Sequence, residues 1–253
     1  MTNPIYYLDP EDFASLTPGS SFLLEGPEAH HAKTVKRAQL GEELDLADGQ
    51  GQRATCRVGD LPAEGLLLEV LSLAAAPEGL SLYLVQALAK ADRDLLALEM
   101  ATELGVSGII PWSADRSIVR WKGQRAEKAL NKWQNTARAA AKQSRRALIP
   151  EVYDQHSTQD LAALARQLGP TALFLVLHEQ ATSPLSKVLE GRNLADLTEI
   201  YCLVGPEGGI SPQELDQLTA AGAQPILLGP EVLRSSTAGA AALSALNLLL
   251  GRW

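Results

Sequence analysis

From Leu80 onward the chain repeats one unit: a nearly continuous apolar run, then a turn, then a helical stretch. The runs are Leu82–Leu88, Val106–Trp112, Leu173–Leu177, Ile200–Val204 and Pro225–Leu228. A strand that is apolar on every residue rather than on alternate residues is covered on both faces, which is the condition of a parallel sheet sandwiched by helices. Helices are expected over Asp92–Leu104, with Gly105 as the C-terminal stop, over Gly123–Leu148, ended by Pro150, and over Ala238–Leu250. The last reads all-apolar (AGAAALSALNLLL) and has to be buried, against the sheet or a second subunit. These features predict a doubly wound α/β domain.

The first 75 residues follow a different rule. Ser20–Leu24, Glu43–Ala47, Gln52–Val58 and Leu66–Leu73 read as short strands separated by turn signals such as Asp48-Gly49. One short helical piece, Pro27–Gln39, interrupts them. This spacing predicts a small β-barrel-like module. Ala74–Gly79 (AAAPEG) is the expected linker. In a chain of 253 residues, one to two domains are expected.

Composition narrows the function classes. An apolar fraction of 46% supports a sizeable core. No run approaches the length of a membrane span, and the opening MTNPIYYLDPEDF has neither the basic start nor the apolar centre of an export signal. The two cysteines, Cys56 and Cys202, can form neither a metal cluster nor a disulfide framework. A reduced, cytoplasmic protein without metal or membrane partner is expected. The net charge of −8 hides an asymmetry: residues 116–146 hold ten Lys or Arg against one acid, Glu127, a local +9 that leaves −17 for the rest. Arg125, Lys128, Lys132, Asn135, Arg138, Lys142 and Arg145 step by three or four along the expected long helix and share a face. Like charges in a row repel unless a polyanion lies nearby, so this face predicts contact with RNA or DNA.

Ligands of open α/β sheets bind where loops leave the C-terminal ends of the strands. Three such loops stand out. Val204-Gly205-Pro206-Glu207-Gly208-Gly209 places three glycines after a strand, which lets a backbone approach a ligand closely. Ser211-Pro212-Gln213-Glu214 then forms a capping box that fixes the next helix start. The pattern is neither GxGxxG nor a Walker loop. Glu207 suits a positively charged or hydroxyl-rich ligand better than a phosphate. The second loop, Leu228-Gly229-Pro230-Glu231-Val232-Leu233-Arg234, leads to Ser235, Ser236 and Thr237, which read as helix caps. Packing gives Arg234 no reason to stand there. In the third loop, Leu177-His178-Glu179-Gln180, His178 reads equally as structural or functional.

The ordered set LVGPEGGISPQEL (203–215), LLGPEVLRSSTA (227–238), ATELGVSGIIPWSADRSIV (101–119) and HHAKTVKRAQLGEELDLADGQG (30–51) resembles the 16S ribosomal RNA uridine-N3 methyltransferase family of the SPOUT superfamily. The likeness spans nearly the whole chain. It implies a PUA-like RNA-binding β-barrel over 1–75 and a SPOUT methyltransferase domain over 80–253, with a trefoil knot at about 200–253. It also implies a homodimer, S-adenosylmethionine as cofactor and N3-methyluridine in the 16S rRNA of the small ribosomal subunit as product.

By the same resemblance, Leu177, His178, Glu179, Val204, Gly205, Pro206, Glu207, Gly208, Gly209, Leu228, Gly229, Leu233, Ser235, Ser236, Thr237 and Ala238 would hold the cofactor. Arg234 and Glu207 would be catalytic. RNA would meet His30, Lys33, Arg37, Lys90, Arg116, Arg125, Lys128, Lys132, Arg138, Lys142, Arg145 and Arg146. Three positions depart from the family's pattern: Ser236 replaces a glutamate, Glu231 a basic residue and Met100 a lysine. A relative acting on transfer RNA or 23S rRNA, and an RNA-binding assembly factor without catalysis, are the competing readings.

Overall fold

The computed structural model describes residues 2–76 and 79–253, which divide into two compact units. The first comprises residues 1–78 together with Ala141–Ile149, and the second the remainder. The segment 141–149, expected in the second domain, therefore packs with the first. Of the expected linker, Ala74 and Ala75 close a strand, whereas Pro77 and Glu78 lie outside the described residues.

The first unit runs β1 (Ile5–Tyr7), α1 (Pro10–Ala14), β2 (Ser21–Leu24), α2 (Gly26–His30), β3 (Glu43–Ala47), β4 (Gln52–Asp60) and β5 (Leu66–Ala75), and its strands form a five-stranded sheet of order β1-β3-β4-β5-β2. All pairings are antiparallel except β1 with β3. Along β4 and the first half of β5 buried and more exposed residues alternate, as a half-covered sheet requires. The inward set includes Ala54, Cys56, Val58, Leu66, Leu68 and Val70, which meet Tyr6, Phe13 and Leu24 in one core. The helical piece expected over 27–39 is α2 followed by a π-helical turn, His31–Val35, and it stops at Arg37, whose φ of +56° leaves the helical region.

The second unit runs β6 (Ser81–Ala87), α3 (Arg93–Glu103), β7 (Gly108–Trp112), α4 (Gln124–Gln143), β8 (Glu151–Val152), α5 (Thr158–Gln167), β9 (Ala172–Leu177), α6 (Leu185–Leu189), β10 (Glu199–Val204), α7 (Pro212–Ala220), β11 (Gln224–Ile226) and α8 (Ser235–Leu249). Its six strands are all parallel, in the order β11-β9-β10-β6-β7-β8. The central strands are buried almost throughout because each face carries its own core. One face joins Leu82, Leu84, Leu175 and Cys202 to α3 and α8, and the other joins Val85, Phe174, Leu203 and Trp112 to α5 and α7.

At the start of the strands Phe174, Tyr201 and Tyr83 lie in register on β9, β10 and β6. Their rings stack at centroid distances of 5.7 and 4.4 Å. Gly108 is next in register on β7, and its missing side chain makes room for Tyr153, which reaches in beside Tyr83. Burial raises the hydroxyl pKa of Tyr201 and Tyr153, with Glu199 and Glu151 respectively adding to the effect.

The chain leaves β6 in one direction, through β7 to the edge at β8, and fills the other side with β9, β10 and β11. The reversal between β6 and β10 is a topological switch point, and the loops at that end are free to converge.

Candidate active site

Loops at the C-terminal end of the sheet enclose a cavity of about 690 Å³. The glycine turn after β10 supplies Val204–Ile210. In that turn Gly209 has φ +73°, and its N–H donates to Pro206 O at 2.9 Å. A left-handed residue there is strained for anything with a Cβ. A Cβ on Gly208 would sit 3.0 Å from that of Arg116, so that position is held by close approach.

The turn is braced by the capping box read from the sequence. Ser211 Oγ accepts from Glu214 N, and Glu214 Oε2 accepts from Ser211 N at 3.0 Å. The other oxygen of Glu214 does more than capping requires. It accepts from Asp115 N at 2.8 Å and from the Thr158 hydroxyl at 2.9 Å, in a side chain only 2% exposed. One carboxylate thus joins the glycine turn, the loop after β7 and the start of α5. Sequence reasoning gave Glu214 only a local role, because its other partners are remote in the chain.

The loop after β9 is laced to β11: His178 N donates to Ile226 O at 3.0 Å and Leu227 N to Ser183 O at 2.9 Å. His178 Nδ1 accepts from Gln180 N at 3.2 Å, which gives this histidine a turn-forming role as well as a place on the cavity wall. The loop after β11 ends at Arg234, whose extended backbone (φ −67°, ψ 153°) makes it the N-cap of α8, with its carbonyl accepting from Ala238 N. The helix begins three residues earlier than the apolar pattern indicates. Ser235, Ser236 and Thr237 are consequently inside its first turn and do not cap it. Ser235 Oγ is buried without a hydrogen-bond partner and its residue lines the cavity.

Of the sixteen residues expected around a cofactor, the cavity wall brings together Leu177, His178, Glu179, Val204–Gly209, Leu228, Gly229, Leu233, Ser235 and Ala238, with Arg234 among them. Ser236 is buried away from the wall, and Thr237 is exposed on α8. The wall also holds Arg93, Arg116, Asp216 and Glu231. Arg93 begins α3 just beyond β6, so the rule that ligands meet the C-terminal ends of parallel strands could have found it. Its guanidinium lies 3.8 Å from Glu207, whose Oε1 also accepts from Lys90 N at 3.2 Å. Glu207 therefore tethers the loop after β6, where Ala91 and Asp92 both adopt left-handed backbone. Arg234 and Arg116 form no ion pair among the described residues. No three His, Cys, Asp or Glu side chains among those residues lie together as a metal would require.

The basic stripe is shorter than its spacing suggests. Arg125, Lys128, Lys132 and Arg138 are exposed on α4, opposite the buried Trp133 and Ala137, and Lys132 pairs with Asp92 at 2.9 Å. The helix then stops at Gln143 and Arg145 turns away with φ +58°. From Lys142 onward the residues of the stripe serve the first unit. Lys142 pairs with Glu28 and lies 5.0 Å over the Tyr6 ring, Arg145 donates to Thr2, and the Arg146 carbonyl accepts from the Tyr7 hydroxyl at 2.7 Å. Lys33 likewise donates to the carbonyls of Leu61 and Pro62, while His30 and Arg37 are exposed.

A parallel sheet with a braced glycine turn and an arginine-bearing cavity at its switch point is the frame of an enzyme domain. The chain belongs to the RNA methyltransferase family: the model of the RNA methyltransferase domain matches residues 76–247, and that of the RNA methyltransferase PUA domain matches residues 24–71. It is similar to the ribosomal RNA small subunit methyltransferase E of Mycobacterium tuberculosis, 42% identical over 237 residues that cover 93% of this chain and 89% of the relative. The protein of the same name from Bacillus subtilis is 29% identical over 234 residues, 90% of each chain. Among solved structures, the ribosomal RNA small subunit methyltransferase E of Neisseria gonorrhoeae bound to S-adenosyl methionine superposes with a TM-score of 0.81 at 28% identity, covering 98% of both chains. A putative methyltransferase of Legionella pneumophila in complex with the same cofactor gives 0.79 at 26% identity, again over 98% of both.

Proposed function

We propose that this protein methylates N3 of a specific uridine in the 16S rRNA of the small ribosomal subunit, with S-adenosylmethionine as cofactor. The observation that carries the reading is the cavity, where Arg234, without an ion pair among the described residues, and the unsatisfied buried hydroxyl of Ser235 adjoin the glycine turn. The chemistry of the wall fits the cofactor. Glu179, Glu207, Asp216 and Glu231 suit its cationic groups, and the hydroxyl of Ser235 and the backbone groups of the glycine-bearing loops suit its polar ones. Leu177–Glu179, Val204–Gly209, Leu228, Gly229, Leu233, Ser235 and Ala238 would hold it. When bound, it supplies a methyl group on a positively charged sulfur.

The acceptor nitrogen lies on the pairing edge of uracil and carries a weakly acidic proton. Arg234 donates N–H bonds to the uracil carbonyls and stabilises the negative charge that spreads onto them as that proton passes to water. Glu207 is tied to Lys90 N and Arg93, and it serves as the brace of the glycine turn and the loop after β6. Ser236, where the family's pattern has a glutamate, does not line the cavity, so this departure leaves the wall intact.

The same reading gives a PUA-like barrel over 1–75, a SPOUT domain over 80–253 and a trefoil knot at about 200–253. In support of the knot, the loop after β9 is laced to the end of β11, yet the chain returns from there to pack α8 on β10 and β6. A homodimer is supported by Leu248, Leu249 and Trp253, exposed at the C-terminal end of the chain. Small subunits as substrate place the work in the cytoplasm.

The test is transfer of labelled methyl groups to small subunits lacking the modification, beside naked 16S rRNA and transfer RNA, with the product nucleoside identified by mass spectrometry. N3-methyluridine in the subunit is expected. Label in transfer RNA, or none in any RNA despite measurable cofactor binding, overturns the substrate assignment.

A further inference from the structure

Arg116 stands in the loop between β7 and α4, residues 113–123, which also carries Arg120 and Lys122. The loop is built rather than loose. The Arg120 guanidinium closes it from within, donating to Ser113 Oγ at 3.1 Å, Ala114 O at 2.6 Å and Asp115 O at 2.7 Å. Asp115 anchors it outward, with its N–H on the buried Glu214 and its Oδ2 accepting from Ser211 Oγ at 3.0 Å. What this bracing presents to the cavity is Arg116. Its Nη1 donates to Gly208 O at 3.0 Å, and it has no other partner among the described residues. A guanidinium has five N–H donors, so a fork of donors at an exposed position on the cavity wall is oriented and unspent. Four carboxylates line the same cavity, and Arg116 pairs with none of them.

We infer that Arg116 binds a backbone phosphate of the RNA strand whose base enters the cavity. The inference rests on the proposed methylation, which requires a single nucleotide to leave its pairing partner and reach the cavity. Its backbone stays at the exposed rim as the base enters. An anchored, preorganised guanidinium is the side chain suited to a phosphate there, since little freedom is lost on binding. The direction of the chain favours phosphate over base. The loop continues directly into α4, whose first exposed cations are Arg125 and Lys128, so the chain that leaves the cavity at Arg116 goes on to carry further exposed positive charge. Arg234 and Arg116 then divide the work: the first acts on the reacting base, the second on its backbone.

Equilibrium binding to small subunits, measured at several salt concentrations with R116A and R116K beside the parent protein, tests this without turnover. Methyl transfer is measured in parallel. R116A is expected to weaken binding roughly tenfold and to lower the slope of log affinity against log salt by about one, the signature of one lost phosphate contact. KM for the subunit should rise by the same factor, with the effect absent from kcat. R116K should recover most of the affinity, because a phosphate accepts a point charge. An unchanged salt slope in R116A overturns the inference. So does a fall in kcat that lysine does not restore, since that places Arg116 on the base. If the parent protein transfers no methyl group while R116A still loses the salt-dependent contact, the methylation reading fails and the phosphate contact stands.

Discussion

Arg234 shows how a single side chain is committed by its backbone. As N-cap of α8 it has a fixed, extended conformation, and its carbonyl is spent on the helix while its guanidinium has no ion-pair partner among the described residues. Arg234→Ala is expected to reduce methyl transfer at saturating substrate by at least a hundredfold, the loss that follows removal of a donor to a developing negative charge. Cofactor affinity by calorimetry should stay within a few-fold. Normal turnover would remove Arg234 from the mechanism. The two cysteines make the opposite case, of reactive groups put out of use. Burial pushes the thiols of Cys56 and Cys202 up to about 12. Folded protein at pH 8 should resist thiol reagents, whereas both cysteines should react after denaturation. Because these folded-state values lie above the ordinary thiol value, their contribution to stability is complete below pH 9. It is lost as pH rises towards 12, and melting temperature should fall across that window. At this scale the sequence was informative wherever chemistry and conformation coincide in a few neighbours, as in the glycine turn and its capping box. The remote partners of Glu214, and the pairing of Arg93 with Glu207, are not legible because they depend on residues that only the sheet brings together.

At the scale of elements, apolar runs located β6, β7, β9, β10 and β11 because strands covered on both faces carry the signal on every residue. β1 and β8, of three and two residues, are too short for any periodicity to register. α8 starts before its apolar pattern does; serines and threonine look like caps, and only the backbone of Arg234 shows that the helix has already begun. Spacing extends the basic stripe past the end of α4 because it cannot reveal the left-handed turn at Arg145. The aromatic ladder was likewise invisible, since it depends on register across strands distant in sequence. It yields a sharp expectation at Gly108, where a Cβ would lie 2.8 Å from the Tyr153 ring and 2.9 Å from that of Tyr83. Gly108→Ala should cost about 1–3 kcal/mol through overpacking, a drop of about 2–4 °C in Tm for each kcal/mol. An unchanged Tm would mean that the rings yield freely.

At the scale of the whole molecule, the two units answer to different sequence rules, alternation in the first and continuous apolar runs in the second, and this contrast made the division readable. What could not be read was the return of Ala141–Ile149 to the first unit. The proposed homodimer is also tested here. Leu248 is 67% exposed on a helix whose other face is buried. If that exposed end is the subunit interface, Leu248→Arg should halve the mass measured by light scattering while leaving the circular dichroism spectrum unchanged. A parent protein that is already monomeric would refute the dimer.

The shared ownership of α4 also bears on how the chain is made. Tyr7 waits for the carbonyl of Arg146, Glu28 for Lys142, and Gly49 for its bridge to Leu148. On the ribosome, the sheet β1-β3-β4-β5-β2 emerges long before these partners exist. At ordinary elongation rates the delay is on the order of ten seconds, during which β6, α3 and β7 have also appeared. The N-terminal unit therefore cannot mature as an early, independent product of synthesis, and its completion is timed by the emergence of a helix that begins in its neighbour.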